Sequence, residues 1–225
     1  MTELYFVEGN IAAGKSTFLE HLAVSMAELL GKPCIIAKEP VDIWSAPIMP
    51  DSEDDGILQL YYKSKLEYAF AFQASVIISR ITQLLVLMRE HPGSIIIAER
   101  SPSSGDIFAR QLMTEGMLTP VQCALHNQWI RMSEEVIKTA GIIYLRVSPE
   151  KCMERIGKRG RNGESLIEAS LIQDLHAFHD DYIDNMEAKG YRVLRLDGEA
   201  DAMTTLPINL TRVQQFISKR PSLEL

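Results

Sequence analysis

The feature that most limits what this chain can become is the run Gly9-Asn10-Ile11-Ala12-Ala13-Gly14-Lys15-Ser16, which fits the spacing Gly-x-x-x-x-Gly-Lys-Ser. The apolar run Leu4-Tyr5-Phe6-Val7 precedes it, and an amphipathic stretch carrying Phe18, Leu22, Met26 and Leu29 on one side follows. Strand, glycine-rich loop and helix in that order make a phosphate-binding loop. Glycines let the backbone pass close to phosphate oxygens, and N–H groups at a helix N-terminus complement their charge. Lys15 adds a point charge toward the outer phosphates, Ser16 offers a hydroxyl to Mg2+, and Thr17 completes the loop at 9–17.

Further runs of strand character recur between helical patterns: Cys34–Ala37, Ser94–Ala98, Ile142–Val147 and Tyr191–Leu196. Runs this apolar, without strict alternation, suit strands covered on both faces. The prediction is an α/β fold, a five-stranded parallel sheet flanked by helices. The first helix should run from about Gly14 to Leu30, where Gly31 and Pro33 stop it. A long helical region is expected from about Leu58 to Arg89, ended by His91-Pro92-Gly93, and another from Pro120 to about Thr139. The polar stretch at 51–56 reads as a loop insertion, and no linker is evident, so 1–225 is expected to be one domain.

A net charge of −7 has the wrong sign for tracking a polyphosphate backbone, so no nucleic-acid partner is expected. Cys34, Cys123 and Cys152 lie far apart without a Cys-x-x-Cys pair, which argues against a disulfide framework or zinc site and fits a reducing compartment. Cys34, in a strand pattern, reads as a small buried hydrophobe. No uninterrupted apolar run approaches the roughly 20 residues that span a bilayer, so no membrane partner is expected. The first strand pattern starts by Leu4, leaving no room for a leader, and a cytoplasmic location is expected.

In open α/β sheets ligands bind beyond the carboxyl ends of the strands, so residues just after strand patterns are the candidates. Glu39 ends the second pattern before Pro40, where a carboxylate could accept a hydroxyl proton. Glu99-Arg100-Ser101 ends the third; Glu99 there could help hold Mg2+, and Arg100 could pair with Glu39 or hold a substrate oxygen. Arg155 and Arg159 share a helix face, and Arg161 follows after Gly160. Phosphoryl transfer needs cationic donors around the equatorial oxygens and exclusion of water, which an arginine-bearing lid at about 155–166 would supply.

Together these motifs resemble the deoxyribonucleoside kinase family, from the phosphate loop to about Asp197. The match includes Glu39-Pro40-Val41 with Trp44, Tyr62 upstream of Phe70-x-Phe72-Gln73, Glu99-Arg100-Ser101, Ile107-Phe108-Ala109, and Arg159-Gly160-Arg161-Asn162 with Glu164 and His176. The resemblance implies ATP as phosphate donor, Mg2+ and a small-molecule deoxyribonucleoside as acceptor. It implies Glu39 as general base toward the sugar 5′-hydroxyl, Arg100 on that hydroxyl and the incoming phosphate, and Glu99 in the Mg2+ shell. Tyr62 and Glu164 would hold the 3′-hydroxyl, Gln73 would pair with the base edge, and Trp44 and Phe108 would wall the base, with Phe72 nearby. Arg155, Arg159 and Arg161 would form the lid, and the loop from Asp197 would meet the donor base. A homodimer is expected on the same ground.

Gln73 and Arg80 are seven residues apart, about 20° apart on a helix, and Gln offers both a donor and an acceptor. Arg80 resembles the deoxycytidine and purine members. Those members also carry an aspartate soon after Glu-Arg-Ser, where this chain has Pro102-Ser103-Ser104-Gly105-Asp106, so either Asp106 takes that role or Gly105 leaves it vacant. The alternatives are a nucleoside monophosphate kinase of the thymidylate type, whose acceptor phosphate Glu39 would repel, and a non-catalytic nucleotide-binding homologue.

Overall fold

The computed structural model describes residues 2–49, 55–160, 167–200 and 202–219. Its strands are β1 (Glu3–Glu8), β2 (Cys34–Ala37), β3 (Ile95–Glu99), β4 (Thr139–Arg146) and β5 (Val193–Asp197), in one five-stranded sheet of order β2-β3-β1-β4-β5. Every pairing is parallel. The helices are α1 (Lys15–Leu30), α2 (Val41–Ser45), α3 (Ile57–Lys63), α4 (Lys65–Glu90), α5 (Gly105–Thr114), α6 (Pro120–Val136), α7 (Pro149–Arg159), α8 (Ala169–Ala188) and α9 (Ala202–Ser218). The α/β class and the five-stranded parallel sheet are as the sequence predicts. The chain divides into two compact units, Met1–Lys38 with Met88–Arg100 and Thr139–Leu225, and Glu39–Leu87 with Ser101–Lys138.

The first unit holds the sheet. Tyr5 and Val7 of β1, Ile95 and Ile97 of β3, and Ile143 and Leu145 of β4 join Phe18, Leu22 and Met26 of α1 and Val213 and Ile217 of α9 in one core. The alternate residues Leu4, Phe6, Ile96 and Ile142 are buried as well, so these strands are covered on both faces and need no polar alternation. Val7 stands opposite Glu99 in the β1–β3 register, which ends the two strands side by side. Gly31, at φ 60°, closes α1 where the sequence predicts.

The second unit is helical. One apolar cluster joins Ala69 of α4 to Ala109 and Leu112 of α5, Leu118 of the following connection and Cys123 of α6; another joins Trp44, Ile57 and Val76. The aromatic side chains pack among themselves: Tyr61 stacks on Phe72 at 4.8 Å, and Phe70 on Trp129 at 5.8 Å. Thr119 caps α6 in a reciprocal arrangement with Gln122, with Pro120 in the first turn.

Some expectations need correction. The helical region from Leu58 to Arg89 breaks at Ser64, whose N–H donates to the Leu60 carbonyl while its own carbonyl accepts from Tyr68. One residue thus closes α3 and opens α4. The Pro120 helix stops at Val136, because Thr139 already belongs to β4. Glu39 lies in the loop beyond β2, which ends at Ala37. Cys34 is only partly buried. By length and composition α4 is long and apolar enough to cross a membrane, which an uninterrupted-run criterion missed because isolated polar residues interrupt it. The Leu29 side chain and residues 51–54 lie outside the described residues.

Candidate functional site

The phosphate loop takes its shape from residues that tolerate a left-handed backbone. Gly9 has φ 154°, and a Cβ there would lie 2.6 Å from the Leu145 carbonyl oxygen, so no other residue fits. Ala12 at φ 58° and Gly14 at φ 97° complete the turn. Asn10 fixes the loop from within: its Nδ2 donates to the Ile172 carbonyl at 2.9 Å and its Oδ1 accepts from the Ile11 N–H at 2.8 Å. The next helix, α1, has no side-chain cap and no acidic residue in its first turn. Its amino-terminal end therefore suits phosphate oxygens.

Three polar groups meet beside that end. Ser16 Oγ donates to Glu99 Oε2 at 3.0 Å, and Lys15 Nζ lies 3.8 Å from Glu99 Oε1. Lys15 Nζ also donates to the Asn10 carbonyl at 2.9 Å. The Lys15 and Glu99 side chains are each 6% exposed, so their attraction is little screened. The register that ends β1 beside β3 accounts for this meeting.

Arg100 follows at φ 64°, a strained backbone conformation for a non-glycine residue. Its N–H donates to the Val7 carbonyl at 3.0 Å, and its Nη1 donates to His179 Nε2 at 3.1 Å. His179 Nδ1 lies 2.6 Å from the Leu175 carbonyl, one turn back in α8, and can engage it only as a donor. One nitrogen accepts and the other donates, so the imidazole is neutral with its proton on Nδ1. Burial, reinforced by the positive Arg100, holds the His179 pKa well below its ordinary value.

Arg155 reaches from α7 back to the loop: Nη1 donates to the Ala13 carbonyl at 3.1 Å and Nη2 to the Gly198 carbonyl at 2.7 Å. Arg159 sits exposed in the last turn of α7, before Gly160 caps the helix at φ 58°. Asp197 ends β5 and accepts the Glu199 N–H at 2.9 Å, shaping the turn that presents the Gly198 carbonyl. Arg161, Asn162 and Glu164 lie outside the described residues.

In the helical unit, Glu39 Oε1 and Arg80 Nη2 form an ion pair, a pairing the sequence did not suggest. The Arg80 guanidinium also lies 5.7 Å from the Trp44 ring centroid. Trp44 is held by its Nε1–H, which donates to Ser79 Oγ at 2.8 Å, and by edge-on contact with Phe72 at 6.0 Å. Gln73 and Arg80 are both buried on α4. Tyr62 is partly buried against Tyr61, and Phe108 and Asp106 are partly buried in the first turn of α5.

Sequence reading missed His179 and Ser79. His179 follows Ile172 and Leu175 on the buried stripe that continues to Ile183 and Met186. A titratable residue inside an apolar helical stripe was the available signal. Ser79 carries no signal, since its importance comes only from facing Trp44.

The family model described as deoxynucleoside kinase matches residues 5–218. Deoxycytidine kinase 2 of Gallus gallus is 31% identical over 200 residues, covering 79% of this chain and 72% of that protein. Deoxycytidine kinase of Mus musculus is 29% identical over 238 residues, covering 94% and 90%. The mitochondrial deoxyguanosine kinase of Xenopus laevis is 31% identical over 202 residues, covering 79% and 71%.

Proposed function

The chain belongs to the deoxynucleoside kinase family and is an enzyme that phosphorylates nucleosides, and from that premise we propose that it moves the γ-phosphoryl group of ATP onto the 5′-hydroxyl of a deoxyribonucleoside. Deoxycytidine and purine deoxynucleosides are the favoured acceptors, a preference supported by Arg80 and by relatives named for deoxycytidine and deoxyguanosine. The observation that carries the reading is the meeting of the buried Lys15 and Glu99 with the Ser16 hydroxyl beside the uncapped start of α1.

In this proposal Gly9 to Thr17 cradle the donor phosphates, with Lys15 on the outer ones. Glu39 takes the proton of the attacking hydroxyl, and Arg100 stabilises the oxygen and the phosphoryl group in transfer. Tyr62 and Glu164 hold the 3′-hydroxyl, Gln73, Arg80 and Asp106 meet the base edge, and Trp44, Phe72 and Phe108 wall its face. Arg155, Arg159 and Arg161 belong to a lid at about 155–166, and the turn at Asp197 meets the donor base. The Ser16 hydroxyl and Glu99 carboxylate are hard oxygen donors already in contact, which suits Mg2+; it would neutralise phosphate charge. Among the described residues no three His, Cys, Asp or Glu side chains form a metal-holding group, so phosphate and water would supply the other ligands.

The proposal includes a single kinase domain at 1–225, a cytoplasmic setting, a homodimer, and no nucleic-acid or membrane partner. Three free cysteines suit a reducing compartment, and the −7 charge disfavours polynucleotides. Gln73 and Arg80 are polar and buried on α4, which supports a helix packed on protein at that face and not on lipid. Exposed Val121, Leu125, Met132 and Val136 on α6, with Ile78 and Leu85 on α4, offer apolar surface to a second copy.

Incubation with Mg-ATP and each of the four deoxynucleosides, their ribose counterparts and the monophosphates tests the reading. Formation of a 5′-monophosphate, fastest from an amino-bearing deoxynucleoside, is expected. If no nucleoside yields product, or a monophosphate turns over faster than every nucleoside, the proposal falls.

A further inference from the structure

Buried polar groups in folded proteins are nearly always hydrogen-bonded, so the exceptions mark places that a ligand or water completes. The helical unit has several. Gln73 is a buried amide on α4, 5% exposed. Among the described residues Arg80 Nε is buried and unpaired, although the far end of the guanidinium holds Glu39. His126 is 1% exposed, and among the described residues neither Nδ1 nor Nε2 makes a hydrogen bond of normal geometry, although the Asn127 side chain lies close enough to act on the ring.

His126 lies on the buried stripe Cys123, His126, Ile130 and Ser133 of α6. Its ring packs against Gly105: a Cβ there would stand 3.0 Å from His126 Cε1 and 3.5 Å from Nε2. The missing side chain at 105 is thus what admits the imidazole to the first turn of α5. Burial lowers the His126 pKa and Arg80 adds to that, while Asp106 and the neighbouring Asn127 side chain oppose it; the net direction is down. A neutral ring carries one N–H donor and one bare acceptor nitrogen.

We propose that His126 is a specificity-determining residue of the nucleobase site, where its imidazole meets the edge of an amino-bearing base. The inference rests on the kinase reading above and deepens it. An ionised Asp106 only accepts hydrogen bonds, and the bare nitrogen of His126 also accepts. Two acceptors close together favour a base that donates, which the exocyclic amino groups of cytosine, adenine and guanine do. The O4 carbonyl of thymine would leave both acceptors unpaired, and leaving buried polar groups unpaired is the strong form of substrate rejection. Gln73 and Arg80 supply the complementary donors from α4.

The test is calorimetric binding of deoxycytidine, deoxyadenosine, deoxyguanosine and thymidine to the wild type, His126→Leu and His126→Asn, with turnover measured in parallel. Leu should weaken the preferred amino-bearing nucleoside at least tenfold relative to thymidine, with ATP affinity kept within about twofold. Asn, which retains a donor and an acceptor, should recover part of that preference. An unchanged preference, or equal loss for all four nucleosides, makes His126 a core histidine and overturns the inference. Wild-type binding without turnover would sink the kinase reading alone, and no binding of any amino-bearing nucleoside would sink this one.

Discussion

Glu39 and Arg80 hold each other on the rim of the helical unit, with the Glu39 side chain 21% and the Arg80 side chain 7% exposed. Removing the carboxylate outright would strand a buried guanidinium, which is costly. Glu39→Gln keeps an acceptor oxygen for Arg80 but can no longer take a proton. The expected result is a kcat lower by roughly 10²–10⁴-fold, the range for loss of a general base, with ATP affinity and melting temperature nearly unchanged. An unaltered kcat would remove Glu39 from the chemistry. At this scale the sequence was legible wherever chemistry is written locally. Lys15 and Ser16 stand at fixed offsets from glycines, and Glu99 at the end of an apolar run. It was not legible for His179, whose partner Arg100 is 79 residues away. A histidine on an apolar stripe reads the same whether it packs passively or orients a cation.

Among the elements, α7 links the loop to the end of the sheet. Ser148 and Pro149 start it, Gly160 ends it, and Arg155 between them ties together the carbonyls of Ala13 and Gly198. Hydrogen bonds from a charged donor contribute about 1.5–3 kcal/mol each, so loosening this fork should cost ATP binding roughly 10- to 100-fold. Steady-state kinetics of Arg155→Ala should show that rise in KM for ATP with a much smaller change in KM for the nucleoside. Equal effects on both would show that Arg155 supports the fold and not the donor site. Arg155→Lys should fall between, since an ammonium cannot span two carbonyls with a planar fork. Strands were the most readable elements, because burial on both faces writes continuous apolar runs such as Ile95–Ile97. The break at Ser64 was unreadable, because the apolar pattern passes through it and only its backbone, which leaves the helical region at φ −145° and ψ 82°, marks it.

Stability of the whole molecule should carry the signature of its neutral buried histidine. His179 is fully buried with a folded pKa well below the ordinary value, and Arg100, Lys15 and His176 around it all disfavour its charged form. In the unfolded chain it titrates near the usual value of about 6.5. Between those two values the unfolded state binds a proton that the folded state refuses, so stability falls as the pH is lowered. The contribution is fully present above about pH 6.5 and declines by at most about 1.4 kcal/mol per pH unit below it. Acidification also discharges some of the −7 net charge and changes self-repulsion, so the wild-type curve alone mixes two effects. His179→Gln separates them. Glutamine keeps a donor and an acceptor but does not titrate, and it shares every other ionisable group with the wild type. Urea unfolding from pH 8 to pH 5 should show the wild type losing stability relative to the variant below about pH 6.5, and parallel curves above it. Curves parallel over the whole range would mean that His179 binds its proton equally in both states. The neutral tautomer that accepts from Arg100 would then be wrong.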